Sequence, residues 1–523
     1  MAAAETGRRH RRTAAVIAAA LLVAGGCSDD LSTHTAGDVA IVLATPGPDD
    51  VRPEVTSATL RVMSFNIWLG GGLVDVNKVI EVIEAGRADI VGLQEAAAQT
   101  AAIADRLGWY SDERLHIISR FPLIHPPAGE GAYAYAQIAP GQVLAVANVH
   151  LPSDPYGPTL VRDGETLDAV LANEEATRVS ALEPLLPRWQ ELVGGGIPLV
   201  VTGDFNSPSN LDWTEATVGA LDHMKYAVEW PVTTAMQGIG LVDTFRSAHP
   251  DPVRNPGRTW TYGYPYPRVR SDEVIDRIDL VWASASATVI DSQVVGEPGT
   301  PDVDIEVEQY PSDHRAVVST VQLDPIEPGP FVSVGHVRLE QGDTLPVRYH
   351  APGGEATDRM VIVEAGADAT GGNGIMWLPP MEASYFGQVL FGTGNLAPGA
   401  YDVALLTEGD AELSRTGFWV VSPGARASVA VASDLLAEGE PIRVTWSDAP
   451  ARRFDWVGIY PAGELDLYNS YLVFAYTEAT VAGSYEFGVD DLGDEMLAAG
   501  DYVAVLMSDD HYMILASAPF TVE

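Results

Sequence analysis

The pattern of apolar and polar positions along the chain changes once, near residue 325. Between residues 60 and 323, short apolar runs alternate with stretches of helical spacing, which is typical of α/β domains. The runs that predict strands are residues 60–65, 89–93, 143–149, 199–202 and 279–282. Helices are predicted over residues 74–84 and 176–193. This alternation indicates layered sheets and helices, with a functional site along a sheet edge.

Beyond a Pro- and Gly-rich linker at residues 325–330, helical patterns largely disappear and alternating strand patterns dominate. This region repeats itself at an offset of about 97 residues. The aligned segments are 342–349 with 439–446, 358–363 with 455–460, and 399–403 with 500–504. We therefore predict two all-β immunoglobulin-like sandwich domains, at residues 331–422 and 424–523. Neither repeat carries a recognisable set of catalytic residues.

The composition narrows the choice of partners. The chain has 523 residues, enough for two or three domains, and a formal net charge of −42. Such an acidic protein is a poor general binder of nucleic acid, because phosphates are neutralised by basic surface. An acidic protein can still contain a local basic pocket.

The amino terminus has the pattern of a bacterial export signal. Four arginines between residues 8 and 12 precede an apolar stretch, residues 13–24, that is too short to span a membrane comfortably. The single cysteine, Cys27, follows where a lipoprotein signal places its lipidated residue. We predict a signal over 1–27, a flexible tether over 28–57, and an exported, lipid-anchored or secreted protein. The alternative is an ordinary secretory signal with an incidental cysteine, and Ala24 stands where lipoprotein signals usually carry leucine.

Polar side chains stand at the ends of the predicted strands. They are Asn66, Glu95, His150, Asp204, Asn206, Asp279, Asp313 and His314. Oxygen ligands suit a hard divalent cation, and imidazoles handle protons or bind anions, so together they suit phosphoester hydrolysis. Three of them have a structural alternative: a solvated carboxylate for Glu95, a turn cap for Asp204, and a packed core imidazole for His150.

Seven short motifs in this order resemble the endonuclease/exonuclease/phosphatase superfamily, which includes deoxyribonuclease I. They are Ser64-Phe65-Asn66, Gly92-Leu93-Gln94-Glu95, Ile118-Ser119-Arg120-Phe121-Pro122, Asn148-Val149-His150, Gly203-Asp204-Phe205-Asn206, Arg277-Ile278-Asp279 and Ser312-Asp313-His314. The resemblance implies an α/β four-layer sandwich of the deoxyribonuclease I type, and a metal-dependent phosphoesterase domain over residues 58–324.

The resemblance also implies a role for each candidate residue. Glu95 would bind the metal, with Asn66 and Asp313 nearby; the cation expected is Mg²⁺, with Mn²⁺ or Ca²⁺ as alternatives. Asp204 would align or activate the water with help from Asn206. His150 and His314 would bind the phosphate, with Asp279 holding His314. Arg120, in the third motif, and Tyr156, in the loop after His150, are predicted to bind substrate.

The leading functional hypothesis is an extracytoplasmic phosphodiesterase or phosphatase that hydrolyses a small or lipid-derived organophosphate. The chain between Glu95 and His150 is compact and has no long basic insertion to hold duplex DNA. Aromatic loops at residues 152–158, 223–226 and 260–267 can pack against an organic group. Two alternatives remain: a secreted nuclease, and a cell-surface binding protein that uses the β-sandwich repeats.

Overall fold

A computed structural model describes most of the chain. The described residues are 42–43, 55–96, 99–129, 131–260, 273–300, 302–351, 358–377, 386–452, 454–463, 467, 470–492, 497–508 and 513–523. The predicted export signal with Cys27, and residues 261–267 of the last aromatic loop, lie outside them. Within these ranges, every helix is too short or too polar to cross a bilayer.

The amino-terminal half alternates strands and helices. Its strands are β1 (Val42–Leu43), β2 (Ala58–Asn66), β3 (Ile90–Gln94), β4 (Tyr110–Asp112), β5 (Ile117–Ser119), β6 (Leu123–Ile124), β7 (Ala134–Ala139), β8 (Gln142–His150), β9 (Leu199–Asp204), β10 (Leu241–Asp243), β11 (Asp279–Ser284), β12 (Thr288–Gly296), β13 (Ile305–Glu306) and β14 (Ala316–Leu323). Its helices are α1 (Val76–Ala85), α2 (Gln99–Leu107), α3 (Gly157–Asp163), α4 (Leu167–Glu174), α5 (Ser180–Leu182), α6 (Leu186–Gly194), α7 (Pro231–Gly238) and α8 (Thr244–Ala248).

Two mixed sheets pack face to face. One has the strand order β13-β12-β14-β2-β3-β5-β4, and the other has the order β10-β11-β9-β8-β7-β6. Apolar side chains from both sheets, such as Val62 and Val200, fill the space between them. Helices α1 and α2 cover the first sheet, and α6 and α7 cover the second. This arrangement confirms the predicted four-layer sandwich.

Strand register brings the ends of several strands together at one edge. In the second sheet, Asp204 at the end of β9 lies opposite His150 on β8 and Asp279 on β11. In the first sheet, Asn66 pairs with Gln94 on the parallel strand β3, so Glu95 follows directly. Strand β14 runs antiparallel to β2, and the segment just before β14 therefore reaches the same edge.

One predicted helix is continuous and the other is not. Helix α1 begins where Asp75 accepts a hydrogen bond from the backbone N–H of Asn77 (2.8 Å), and it confirms the prediction for residues 74–84. The helix predicted over 176–193 is wrong as a single element. A π-helical stretch (Glu175–Val179) and α5 end in a turn that contains Pro184, and α6 starts afresh with Pro187 in its first turn. Proline lacks an N–H donor and disfavours helix at the residue before it.

The carboxyl-terminal half is built from strands, with one short helix, α9 (Val489–Leu492). Its strands are β15 (Phe331–Val334), β16 (Arg338–Glu340), β17 (Thr344–His350), β18 (Arg359–Glu364), β19 (Met376–Trp377), β20 (Phe386–Gly392), β21 (Gly399–Leu406), β22 (Glu412–Val421), β23 (Ser428–Val431), β24 (Leu435–Leu436), β25 (Ile442–Ser447), β26 (Trp456–Pro461), β27 (Val473–Tyr476), β28 (Gly483–Phe487), β29 (Gly500–Ser508) and β30 (Met513–Val522).

These strands form two sandwiches of matching topology. The first combines sheets β1-β20-β17-β15 and β16-β22-β21-β18-β19; the second combines β23-β25-β28 and β24-β30-β29-β26-β27. Each sandwich has its own apolar core, around Val347 in the first and Val444 in the second. The segments aligned in the sequence occupy equivalent strands, β17 and β25, β18 and β26, and β21 and β29. The predicted immunoglobulin-like fold class is confirmed, whereas the exact domain boundaries stay predictions.

Both sandwiches pack against the four-layer region. Phe331 of β15 contacts Tyr135 of β7, with ring centroids 6.2 Å apart. Arg452, in the second sandwich, donates a hydrogen bond to Glu113 (2.9 Å). In addition, β1 pairs with β20, so part of the stretch predicted as a tether forms an edge strand of the first sandwich.

Candidate active site

Asp204 lies at the centre of the polar cluster. Its carboxylate is 1% exposed and accepts hydrogen bonds from the Asn66 side-chain amide (3.0 Å) and the Asn206 backbone N–H (2.9 Å). The Nε2 atoms of His150 and His314 lie 3.6 and 3.7 Å from its Oδ2. Burial raises the pKa of Asp204, although both histidines act in the opposite direction. The group is thus a buried carboxylate with an increased affinity for a proton.

His314 is held by a second buried carboxylate. Its Nδ1 lies 3.0 Å from Oδ2 of Asp279, which is fully buried. Burial lowers the pKa of His314, but Asp279 and then Asp204 outweigh that effect and raise it to about 10. The Thr259 hydroxyl accepts hydrogen bonds from the backbone N–H groups of Ile278 and Asp279 (both 3.1 Å), which fixes the start of β11. At neutral pH, His314 is therefore an imidazolium facing Asp204.

Glu95 is fixed in an unusual backbone conformation. Its φ of 54° lies in the left-handed region, which costs a non-glycine residue about 1–3 kcal/mol. The Glu95 carboxylate accepts hydrogen bonds from the backbone N–H of Leu69 (2.7 Å) and the amide of Asn66 (3.2 Å). The Glu95 carbonyl accepts another from the Gly70 N–H (2.7 Å). These contacts direct the carboxylate towards the same edge as Asp204.

Asp313 completes an acidic pair with Glu95. Burial and then the nearby Glu95 raise the pKa of Asp313 to about 6, although His314 lowers it. The Ser312 hydroxyl donates a hydrogen bond to the Asn66 carbonyl (2.7 Å), which ties this segment to the end of β2. Two carboxylates in one partly buried space repel each other, and a divalent cation between them would remove that repulsion.

Comparison with known proteins agrees with this geometry. The sequence model of the Endonuclease/Exonuclease/phosphatase family matches residues 63–314. The Caenorhabditis elegans protein F14F9.5 is 30% identical over 295 residues, which are 50% of this chain and 91% of that protein. The chain belongs to the endonuclease/exonuclease/phosphatase family.

Two solved structures were also matched. The endonuclease/exonuclease/phosphatase from Beutenbergia cavernae DSM 12333 is 18% identical, with 69% of this chain and 99% of that chain covered, and a TM-score of 0.33. The polymeric Ig receptor ectodomain of a teleost fish is 12% identical, with 36% of this chain and 95% of that chain covered, and a TM-score of 0.14.

Most of the site residues predicted from the sequence come together in this family member. The cluster contains Asn66, Glu95, His150, Asp204, Asn206, Asp279, Asp313 and His314. Asn206 supports Asp204 through its backbone N–H, while its side-chain amide donates to the Leu151 carbonyl (2.9 Å). The individual chemical roles stay predictions.

Arg120 does not join the cluster. It follows β5, whose residue Ser119 pairs with Ile90 at the beginning of β3, whereas Glu95 follows the end of β3. The Arg120 guanidinium is largely exposed, lies 3.4 Å from Asp89 and stacks over Trp109. The prediction that Arg120 binds substrate is therefore corrected, because Arg120 lies at the beginning of β3 and Glu95 lies at its end.

Tyr156 reaches the site through a neighbouring aromatic residue. It is buried, its hydroxyl donates to Asp276 (3.2 Å), and its ring meets Trp260 edge to face. Trp260 is half-buried, and its ring centroid lies 6.0 Å from that of His314. Tyr156 thus supports Trp260, whose aromatic ring lies beside His314. Trp260 began one of the aromatic loops noted in the sequence, but its contact with His314 depends on the folded chain.

A buried charge network behind the site was missed by sequence reasoning. Arg277, in the Arg-Ile-Asp motif, donates to Asp212 (3.0 Å) and Asp243 (2.7 Å), and Arg246 also binds Asp212. The network anchors the turn that leads into Asp279. The sequence feature that could have revealed this network is an arginine, Arg277, just before an apolar strand, where a buried residue is expected.

Two sets of residues have the chemistry to hold a cation. Asp204, Asp279 and His314 offer ligand atoms within 4.8 Å of one another. However, His314 uses Nδ1 on Asp279 and is protonated, so it is a poor metal ligand. Glu95 and Asp313 provide a pair of carboxylates that suits Mg²⁺ better. The Asn66 side-chain N–H groups face Glu95 and Asp204, and its amide oxygen accepts a hydrogen bond from the Trp68 N–H (3.0 Å).

Proposed function

We propose that this protein is a Mg²⁺-dependent phosphoester hydrolase that acts on a small or lipid-derived organophosphate. The observation that carries the proposal is the buried Asp204 between two histidines, one of which is paired with the buried Asp279. A carboxylate with a raised pKa next to an imidazolium combines a proton acceptor with an anion-binding group.

Each residue of the cluster has a separate task in this proposal. The imidazole N–H groups of His150 and His314 donate hydrogen bonds to phosphoryl oxygens and stabilise their growing charge. Asp204 orients the attacking water and accepts its proton, while the Asn66 amide and the Asn206 N–H hold the carboxylate in place. The bond between phosphorus and the ester oxygen breaks, and that oxygen then takes up a proton. A Mg²⁺ ion held by Glu95 and Asp313, with Asn66 nearby, would supply positive charge for the phosphoryl and leaving oxygens.

The surroundings of the site favour a small organic substrate over a nucleic acid. Trp260 presents a half-buried aromatic face beside His314, where it can pack against an alcohol group of the substrate. The net charge of −42 would repel a polyanionic duplex.

The direct test uses the full chain with Mg²⁺, Mn²⁺ and Ca²⁺ on bis-p-nitrophenyl phosphate, p-nitrophenyl phosphate and a lysophospholipid. We expect metal-dependent hydrolysis that falls by about two to four orders of magnitude in Asp204→Asn and His314→Gln. Asp105→Asn, an exposed change on α2, is the matched control and should retain activity. Equal activity in all variants would refute the catalytic assignment. Plasmid degradation at low enzyme concentration, with a steep loss in added salt, would replace the substrate class by nucleic acid.

We also propose that the protein is exported and anchored through a lipid on Cys27. The support is the arginine-rich start, the short apolar stretch and the position of the single cysteine. Expression in a bacterial host should place the wild type in the membrane fraction and Cys27→Ser in the soluble or released fraction. Membrane association that is unchanged by Cys27→Ser would exclude the lipid anchor.

A further inference from the structure

A cavity of about 320 Å³ lies where the four-layer region and both sandwiches meet. We call it the junction cavity and define it by Arg114, Arg338, Arg348 and Arg452, with His125 beside them. Arg114 comes from the segment after β4, Arg338 and Arg348 from the first sandwich, and Arg452 from the second. It shares no residue with the candidate active site.

The charges around the junction cavity do not balance. Its acidic lining residues are Asp112 and Glu113. Glu113 accepts a hydrogen bond from Arg452 (2.9 Å), and Asp112 is in contact with His125. Four guanidinium groups therefore face two carboxylates, in a chain with only 30 basic residues against 72 acidic ones. A concentration of positive charge here is opposite to the character of the whole protein.

Three of these arginines keep unused donors. Within the described part of the chain, the guanidinium groups of Arg114 and Arg348 have no hydrogen-bond or ion-pair partner. Arg338 donates to the Ala425 carbonyl (3.0 Å), but its buried Nε has no acceptor among the same residues. Since buried donors are normally satisfied, the buried Nε of Arg338 is suited to an acceptor that comes from outside the chain. The half-buried guanidinium groups of Arg114 and Arg348 can donate to the same acceptor.

The incompletely paired arginines of the junction cavity reduce the stability of the fold for an electrostatic reason. Burial lowers the pKa of Arg114, with only Asp112 opposing it, and burial also lowers the pKa of Arg348, opposed only by Tyr110. Cations that are removed from water without full pairing destabilise the fold. An anion in the junction cavity would pair with them and would also link the three parts of the chain.

We propose that the junction cavity binds a small multivalent oxyanion that carries phosphate or carboxylate groups. Guanidinium forks match the oxygens of both groups, often through two parallel hydrogen bonds. A volume of about 320 Å³ is at the lower end of the range for small-molecule sites. The proposal is independent of the hydrolase assignment, because the two sites use different residues.

The test is isothermal titration calorimetry of the metal-free full chain with inorganic phosphate and, separately, with citrate. We expect one-to-one binding that weakens with added NaCl, and a loss of about tenfold or more in Arg348→Gln and in Arg114→Gln. Arg443→Gln, an exposed change on β25, is the matched control and should bind like the wild type. Binding of phosphate alone would assign a phosphoryl ligand, and binding of citrate alone would assign a carboxylate ligand.

Two further variants make the result specific to this cavity. His314→Gln alters only the candidate active site and should keep the citrate affinity of the wild type, so any phosphate that binds at the active site is told apart from phosphate in the junction cavity. Arg348→Lys keeps the charge without the fork, so it should fold normally and bind with intermediate affinity. The proposal fails if the wild type binds neither anion at 10 mM (roughly the weakest affinity of interest). It also fails if binding is lost in His314→Gln and kept in both glutamine variants of the cavity.

Discussion

The contact between Asp279 and His314 gives the sharpest prediction. Asp279 is 0% exposed, and its Oδ2 lies 3.0 Å from Nδ1 of His314. Although burial lowers the pKa of His314, Asp279 and Asp204 raise it from 6.5 to about 10. That rise corresponds to ~5 kcal/mol of preference for the charged imidazolium, and Asp279 is the larger of the two sources.

Asp279→Asn should therefore lower the pKa of His314, because the larger carboxylate contribution is lost while the burial penalty and the contribution of Asp204 remain. At pH 8 the wild-type imidazole is charged, whereas a larger fraction of the variant imidazole is neutral. We expect kcat/KM at pH 8 to fall by about two to four orders of magnitude. In the wild type the activity that depends on the imidazolium disappears only as the pH rises towards 10, and in Asp279→Asn it should disappear at a lower pH.

The same pair affects stability with a definite sign. Because the folded pKa of His314 is raised above its unfolded value of 6.5, its stabilising contribution is complete below pH 6.5 and is lost as the pH rises through about 10. Asp279→Asn should reduce this pH dependence, because Asp204 still favours the imidazolium.

Two measurements check these expectations. NMR of labelled histidine in the metal-free protein follows the protonation of His314, and a pH–rate profile with Mg²⁺ follows the reaction. Asp105→Asn should leave both curves unchanged. A His314 that titrates near pH 10 in Asp279→Asn would refute the electrostatic reasoning, whatever happens to the rate.

Three other changes probe the metal set, the packing between the sheets and the aromatic face. Glu95→Gln should weaken Mg²⁺ binding by about tenfold or more in calorimetry, and an unchanged affinity would move the cation to another set of ligands. Gly92→Ala places a methyl group against the Thr202 hydroxyl between the sheets and should lower the free energy of unfolding by about 1–3 kcal/mol, measured with denaturant. The control Gly72→Ala meets open space and should lower it by less than about 1 kcal/mol. Trp260→Ala should raise KM about three- to tenfold for p-nitrophenyl esters and leave KM for methyl phosphate unchanged; equal effects on both would argue against stacking.

The sequence could predict which candidate residues come together because they stand at ends of strands that meet at one edge of the two packed sheets. Asp204, His150 and Asp279 are neighbours through strand register, and a strand end is visible as the point where an apolar run meets a polar residue. Asn66 and Glu95 follow the same rule on the parallel pair β2 and β3. Local pattern and three-dimensional position therefore agree for these residues.

Arg120 shows where the same reasoning fails. It also follows a strand, but β5 runs antiparallel to β3, and its end lies at the beginning of β3 instead of beside Glu95. A sequence motif shows where a strand ends. It does not show whether that strand runs parallel or antiparallel to its neighbours in the sheet. The broken helix over 176–193 has a different cause, since apolar spacing predicted one element while Pro184 and Pro187 divide it.

The junction cavity could not be predicted from the sequence alone. Its arginines stand more than 300 residues apart, from Arg114 to Arg452, and none lies in one of the seven family motifs. Each one, taken singly, is an ordinary arginine in an acidic protein. Only the packing of both sandwiches onto the β4–β5 edge brings these cations together. Unpaired positive charge at the junction cavity weakens the packing of the two sandwiches against the four-layer region. Carboxyl-terminal domains that served merely as a spacer would gain nothing from such an arrangement. A bound anion reverses the sign of that contribution, so the same arginines would hold the three parts together when the anion is present.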